Sequence, residues 1–581
     1  MPDHVASLPF TEIWAVDTEF IEPPGERPIV VCLVARELRT GREIRLWQDE
    51  LTGRPPFRTD DGALFVSYTA SAELKCMREL GWPMPTRILD LHAEFLARIS
   101  GMPGQDHGLL DALTFYGLPH ITSEQKQAGR ALVMKGPPWS SAERREVLDY
   151  CATDVDPLGP LLGRMLPFIQ ARRLGVGHAP LRGRYTSAVA AMELTGVPVD
   201  VSTLTAIRDN REAIKLDLVQ EIDQAYGVYK GTTFKQHKFE ALLDRHGIAW
   251  PRTETGRLSI EEKVFRAGCE ANPWLNPLRE LHDFLEKLDL GKLRIGRDGR
   301  NRPALMPFVA KTGRNAPKGF IYAPGKWVRH LIKPNPGSAL LYIDWSLQEW
   351  AIAAVLSGDS EMRAVLESGD MYLEFAKLAG WAPPDATKTT HRQARDRAKP
   401  CVLATGYGQQ AEGLALKMGT SKYHAQQTLR AYAQRFPTYW AWAESQVEQG
   451  DLRRNMRSVF GWPLFVYDGT RPNTMRNFPC QSNGAEMMRL AACLMTERSL
   501  SVCCPVHDAF LLETPIDEIE ATKAAAQSAM AEAPRVVLNG FEIKTDVEET
   551  VWPNRCTDAR GAEFWQKVRA QLEKRGILGD V

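Results

Sequence analysis

Two carboxylates two residues apart are the first groups in this chain that could do chemistry. Asp17 and Glu19, in Trp14-Ala-Val-Asp17-Thr-Glu19-Phe20, would share one face of a β-strand, where successive side chains alternate. Like charges held side by side repel, so such a pair is tolerated on an open face or around a divalent cation. Further on, Tyr150 and Asp154, in Val147-Leu-Asp-Tyr150-Cys-Ala-Thr-Asp154, stand four apart and would stack on one face of a helix. A tyrosine one turn from a carboxylate can orient a water that metal-bound carboxylates activate. Taken alone, Asp-x-Glu also reads as a solvated strand face.

A second set lies downstream. Leu340-Leu-Tyr-Ile-Asp344-Trp-Ser-Leu-Gln-Glu349 runs from an apolar strand into a helix. An aspartate ending a buried strand is costly unless a cation pairs with it, although capping of the helix by Asp344 or Ser346 is a plainer alternative. Arg395, Lys399, Leu403 and Tyr407 recur every four residues, a helical stripe of two cations, an apolar residue and an aromatic. Cations for a phosphate chain beside a flat or apolar surface for a base suit a nucleotide, while a solvated charged face is the other reading. Finally, apolar runs flank His507-Asp508 as strands flank a hairpin turn. If a neighbouring strand brings Asp344 to Asp508, the pair can hold two divalent ions that clamp the attacking and leaving oxygens of an in-line phosphoryl transfer.

Positioning these groups takes several domains. At about 150 residues each, 581 residues suggest three or four. The chain is 44% apolar and 25% charged, which excludes a wholly disordered or fibrous protein. Lysine plus arginine total 72 and so do aspartate plus glutamate, so a uniformly basic nucleic-acid binder is excluded but a basic groove is not. Ten cysteines without a Cys-x-x-Cys pair indicate neither a zinc site nor a disulfide framework and read as reduced thiols. Met1 to Phe10 lacks the pattern of a signal peptide, and the apolar run Ile29 to Ala35 is far short of the ~20 residues that span a bilayer, so a cytoplasmic location is expected.

Strand-like runs at Ile13–Asp17, Ile29–Val34 and Glu43–Trp47 precede a helical stretch at Ser141–Met165, which predicts an α/β or α+β layer architecture. A Gly-, Arg- and Pro-rich stretch, Arg172–Arg184, is the expected boundary. From Tyr185 to Lys292 the pattern is long-helical, with Leu204, Ile207, Ile214, Leu218 and Ile222 at helical spacing. Strands and helices mix from about 300 onward.

The first set of residues resembles the DEDD-type 3′→5′ exonucleases that carry a tyrosine in their last motif. The resemblance implies an RNase H-like domain over 1–178, with Asp17, Glu19, Glu73 and Asp154 as metal ligands and Tyr150 as a catalytic residue. Glu73 stands where the family usually has an aspartate, and the asparagine that usually precedes it is missing; the longer side chain can still reach a metal. Asp90, in Ile88-Leu-Asp90, is a nearby carboxylate with a supporting role.

Asp344-Trp-Ser-x-x-Glu349, the stripe from Arg395 to Tyr407-Gly408, and Val506-His507-Asp508 fall in order, and they resemble motifs A, B and C of family A DNA polymerases, the bacterial DNA polymerase I family. Lys311-Thr-Gly-Arg314 and Asn477-Phe-Pro-Cys-Gln481 look like two further elements of that family. The resemblance implies a right-hand polymerase over 179–581: thumb 179–300, palm 301–361 and 456–550, fingers 362–455, and a C-terminal extension 551–581. Thumb-like helices carry Lys235, Lys238, Lys287, Lys292 and Arg294. Asp344 and Asp508 would be catalytic and hold two Mg²⁺ ions, with Mn²⁺ as an alternative. Arg395 and Lys399 would bind the triphosphate, and Lys399 would also donate a proton to the leaving pyrophosphate. Glu349, bonded to Tyr407, would exclude a ribose 2′-hydroxyl; His507 would touch the primer terminus; Arg314 and Gln481 would read the minor groove.

The expected partners are primer–template DNA, dNTPs and replisome proteins (helicase, primase, single-strand-binding protein), for a monomer away from membranes. The family's optional 5′ nuclease is expected to be absent, and the compact layout suggests phage or mobile-element replication. A single-subunit RNA polymerase and a non-catalytic DNA-binding replication factor are the alternatives; Glu349 and the exonuclease pattern argue against the first, and the joint presence of the carboxylates with Lys399 and Tyr407 against the second.

Three departures carry consequences. Pro400 inside a helix removes a hydrogen bond at a cost of ~3 kcal/mol, so the fingers helix should kink or begin there. Ala509 replaces the acid that often follows the motif C aspartate. Leu403 stands where the family usually has an aromatic ring, and leucine loses its stacking. A tyrosine hydroxyl is missing with the ring, so dideoxynucleotides are expected to be used poorly, which a primer-extension assay with chain terminators checks.

Overall fold

The computed structural model describes residues 5, 7–171, 179–288, 290–368, 370–406 and 408–577. Its first sheet has five strands: β1 (Glu12–Ile21), β2 (Ile29–Glu37), β3 (Glu43–Trp47), β4 (Ala63–Ser67) and β5 (Ile88–Asp90). Their order is β3-β2-β1-β4-β5, with β1 to β3 an antiparallel meander and β4 and β5 parallel to β1. All five residues of β4 are buried, as suits a strand covered on both faces. The three strands read from the sequence are all present. The helical stretch expected over Ser141–Met165 is two helices, Ser141–Val155 and Leu158–Ala171. Pro157 falls at the break: it has no N–H to continue the first helix, and its carbonyl accepts from the Leu161 N–H at the start of the second.

The expected boundary at 178/179 falls in a region where 172–178 lie outside the described residues. The next helix, Ala179–Thr195, joins the two halves instead of marking their separation. Ala179 belongs to the core beneath the first sheet, whereas Tyr185, Ala188, Val189 and Met192 belong to the core of the second. The helix approaches β5 so closely that a Cβ at Gly183 would lie 2.0 Å from the Ile88 carbonyl oxygen. Arg182 on this helix makes a buried two-pronged ion pair with Glu94, Nε to Oε1 at 2.5 Å and Nη2 to Oε2 at 2.9 Å.

The second sheet is antiparallel: β6 (Ser338–Trp345), β7 (Val502–Val506), β8 (Ala509–Pro515) and β9 (Thr545–Val551), in the order β7-β8-β6-β9. The long helix Pro472–Glu497, with sixteen buried residues, lies in the core beneath it. The helices from Ser360 to Arg453 pack around Trp350, Phe375, Tyr432 and Phe436. Between the two sheets the long-helical pattern is interrupted: Leu204 and Ile214 lie on separate helices, Val201–Asp209 and Arg211–Ile222, with Asn210 between them. Of the expected thumb cations, Lys287 pairs with Asp283 and Lys238 donates to the Tyr229 carbonyl. The C-terminal stretch is part of the core. In its helix Ala562–Glu573, Phe564 stacks on Phe284 and Trp327 at 3.9 and 4.9 Å, and Trp565 stacks on His330.

Removing one partner of a buried ion pair strands the other's charge. Glu94→Ala is therefore expected to destabilise the chain by about 3–5 kcal/mol, and replacing Glu94 and Arg182 together by apolar residues by far less. Denaturant unfolding of the three proteins checks this.

Candidate active sites

Asp17 and Glu19 lie on β1, on the face covered by the helix Ser141–Val155. That helix delivers Tyr150, Cys151 and Asp154. The Cys151 thiol donates to Asp17 Oδ2 at 3.3 Å. Asp154 accepts both prongs of its contact with Lys126 Nζ, at 2.8 and 2.7 Å, from the helix Ser123–Met134. Glu73, buried on the helix Ser71–Glu79, accepts from Ser67 Oγ at 2.6 Å.

Burial, then Asp154 and Glu19, push the Asp17 carboxyl well above its usual range. Burial, then Cys32 and Asp154, push Glu19 up to about 8. Glu73 is pushed up by burial and then by Asp17. The Tyr150 hydroxyl is held protonated by burial and by Glu19, Asp154 and Asp17. The five residues named from the sequence lie near enough to one another to bias each other's ionisation. The tyrosine's ring position depends on a glycine: a Cβ at Gly129 would lie 2.2 Å from the Tyr150 ring.

Asp90 has a positioning role. It caps the helix Leu91–Ile99, accepting from His92 and Ala93, and also accepts from the backbone of Thr69 and Ala70 at 3.0 and 3.1 Å. It thereby fixes the start of the helix that carries Glu73.

In the second sheet, Asp344 pairs across β6 with Ala509 on β8 and with Asp546 on β9. The His507-Asp508 turn joins β7 to β8 as the sequence predicts, with His507 at φ 56° and the Trp345 N–H donating to the Asp508 carbonyl. Burial, then Asp508, Asp546 and Glu548, push Asp344 up to about 6, and Lys399 opposes them. Burial also raises Asp508. Asp546 and Glu548 were not found in the sequence reading; their alternation on a strand was the signal, but only the β6–β9 register puts them beside Asp344. Asp546 lies on the opposite side of Asp344 from Ala509, the position that lacks its usual acid, and it accepts from Ser346 Oγ at 2.6 Å.

Arg395 and Lys399 lie on the helix Arg392–Gly406, which runs unbroken through Pro400. The expectation that the helix begins there is corrected: Pro400 and Asp396, one turn before it, are exposed, so water can take the carbonyl that proline leaves unpaired. Arg395 pairs with Asp370, and both Arg395 and Lys399 lie over the Tyr372 ring, at 5.0 and 5.6 Å. Tyr372 is a further residue that the sequence reading did not find. The Leu403 side chain and Tyr407 lie outside the described residues.

Glu349 is held by Arg314, Nη2 to Oε1 at 2.6 Å. Arg314 follows Gly313, whose φ of 74° favours glycine and whose carbonyl accepts from buried Arg489 at 2.7 Å. Glu486 balances the Arg489 charge at 2.6 Å, and Trp462 Nε1 donates to the Lys311 carbonyl at 3.0 Å. Gln481, on the helix Pro472–Glu497, is partly exposed.

Residues 315–552 match the family model described as DNA polymerase family A. The chain carries a family A DNA polymerase domain. Over 375 residues it is 28% identical to the thermostable DNA polymerase I of Thermus thermophilus, covering 59% of this chain and 44% of that one. The DNA polymerase I of Aquifex aeolicus is 24% identical over 441 residues, covering 70% of this chain and 75% of the relative. The chain thus spans less than half the length of the Thermus relative. The solved POL domain of Pol1 from M. smegmatis, in complex with DNA primer-template and dNTP, superposes with a TM-score of 0.71 at 18% identity, over 95% of this chain and 96% of that one. The likeness in fold therefore reaches beyond the family A domain into the N-terminal sheet. Among the described residues, no helix is long and apolar enough to cross a membrane.

Asp344 titrates near 6 in the folded family A domain and near its ordinary value of about 3.9 when unfolded. The folded state thus binds the proton more tightly, and ionisation costs stability as pH rises through that window. Asp344→Asn is expected to raise the thermal midpoint in chelator at about pH 8, and the gain should shrink as pH falls from about 6 to 4. Thermal melts across that range check it.

Proposed function

We propose that this chain is a template-directed DNA polymerase that adds dNTPs to a primer 3′ end, with a separate 3′→5′ exonuclease site in its N-terminal layer. The observation that carries the first half is the meeting of Asp344 with Asp508 across β6 and the β7–β8 turn, facing Lys399 on the family A domain. Carboxylates crowded enough to suppress their own ionisation fit divalent cations, and Asp344 and Asp508 would hold them. Bound there, Mg²⁺ or Mn²⁺ would supply charge neutralisation at the attacking and leaving oxygens.

The remaining work falls to side chains of this chain. Arg395 and Lys399, steadied over Tyr372, bind the triphosphate, and Lys399 is placed to pass a proton to the leaving pyrophosphate. Glu349, with Tyr407, excludes the 2′-hydroxyl of a ribonucleotide, so DNA synthesis is favoured over RNA synthesis. Arg314 holds Glu349 in the structure. When primer–template occupies the cleft, Arg314 and Gln481 contact its minor groove and His507 its primer end.

In the N-terminal layer, Asp17, Glu19, Glu73 and Asp154 form a cluster of the same character in an RNase H-like sheet, which supports a hydrolytic cation site. Tyr150, kept protonated by the carboxylates around it, can donate a hydrogen bond to the attacking water. Lys126 orients Asp154. A chain of this layout suits phage or mobile-element replication, with helicase, primase and single-strand-binding protein as its partners.

The two sites are separable. Asp344→Asn or Asp508→Asn should abolish primer extension while single-stranded 3′ ends are still degraded. Asp17→Ala combined with Glu19→Ala should do the reverse. Extension of a labelled primer with dNTPs and then rNTPs, beside degradation of its unpaired 3′ end, reads both; normal extension by the first pair of variants would overturn the polymerase reading.

A further inference from the structure

The N-terminal cluster differs from an all-oxygen cation site in one respect: a thiol forms part of its wall. Among the described residues, Asp17, Glu19 and Cys151 are the one group of acidic, histidine or cysteine side chains whose donor atoms all lie within 4.8 Å of one another. The donors converge from two elements that the core holds together, β1 and the helix Ser141–Val155. The Cys151 side chain is fully buried, and its sulfur faces Asp17 Oδ2 at 3.3 Å. A second thiol, Cys32, pairs with Glu19 across β1 and β2 and hydrogen-bonds Cys151. The same wall already draws in a cation, since the Lys126 ammonium sits on both oxygens of Asp154.

Donor type decides which ion such a group prefers. Magnesium takes oxygen ligands and keeps several of its waters, whereas sulfur favours zinc and ions like it. A magnesium ion would use the carboxylates and leave the Cys151 thiol donating to Asp17. An ion that binds sulfur would recruit all three donors.

We propose that Asp17, Glu19 and Cys151 form a mixed oxygen–sulfur site that takes a thiophilic divalent cation of the zinc class in preference to magnesium, with Cys151 Sγ as a ligand. This deepens the reading of the cluster as an exonuclease cation site by assigning its metal selectivity. On binding, the S–H bond breaks, a sulfur–metal bond forms, and the proton leaves to solvent; no electron is transferred. The second cluster gathers carboxylates alone around Asp344, so the two sites should sort hard and soft cations differently.

Cadmium alone, titrated into the full chain in chelator-free buffer, provides the test, read by the ultraviolet sulfur-to-cadmium charge-transfer band. The band should saturate at a single ion per chain, survive an excess of magnesium, vanish in Cys151→Ser and persist in Cys503→Ser. Asp17→Asn keeps the thiol but should weaken the apparent affinity by at least about tenfold, the scale on which loss of even an outer partner acts. Circular dichroism establishes that the variants are folded, and Asp17→Asn carries the test if Cys151→Ser is not. No band in the native chain, an equal band in Cys151→Ser, displacement by magnesium, or unchanged affinity in Asp17→Asn would each overturn the proposal. A band without magnesium-dependent 3′ degradation removes the exonuclease reading and keeps the cation site. Degradation without a band removes this inference alone.

Discussion

Repulsion between buried carboxylates is the constraint on which this structure depends. Asp17, Glu19 and Glu73 each have ionisation suppressed by burial and by one another or by Asp154. Asp344 and Asp508 are raised in the same direction. A fold maximising its own stability would separate such groups or replace them with apolar residues. Here two sheets hold them together, at a cost that the surrounding core must offset.

The two sheets do so with the same device. In each, one or two acids lie on a strand in the middle of the sheet, β1 or β6, and the others arrive from a different element. A helix brings Asp154 and Cys151 to β1, and a hairpin turn brings Asp508 to β6. The strand cannot move without breaking pairing on both edges, so repulsion is taken up as a shifted protonation equilibrium and not as displacement. A lysine reaches each cluster, Lys126 the first and Lys399 the second, where Arg314 also acts on Asp508. Neither neutralises its cluster, which leaves room in the charge balance for added cations.

Much of this was legible in the sequence because it depends on short-range periodicity. Alternation along β1 put Asp17 and Glu19 on one face, helical spacing put Tyr150 above Asp154, and flanking apolar runs made His507-Asp508 a turn. What was not legible depends on contacts between elements distant in sequence. Lys126 meets Asp154 only because one helix packs on the next, and Asp546 meets Asp344 only through a register between strands some two hundred residues apart. Arg489 supports the Arg314 loop from the middle of a buried helix, where its charge would argue against burial until Glu486 and the Gly313 carbonyl are placed beside it. Pro400 misled for the opposite reason: its local rule is sound, but exposure lets water take the carbonyl it leaves unpaired, and the helix continues through it.

The equal totals of acidic and basic residues acquire a spatial meaning from these contacts. Acids are concentrated in the two clusters, and several arginines are spent inside the fold: Arg182 on Glu94, Arg302 on Asp298 and the Gly25 carbonyl, Arg489 on Glu486. The first two of these lie where the N-terminal layer meets the rest of the chain. Lys75 adds to that junction, bonding Glu22 at 2.8 Å and Glu193 at 3.2 Å from the helix that also carries Glu73. A carboxylate of the first cluster is thus borne by a helix whose other side is pinned to the helix Ala179–Thr195, which packs into the core of the second sheet. Two chemically separate clusters therefore share one mechanical frame, to which Glu73 is tied through Lys75 on its own helix.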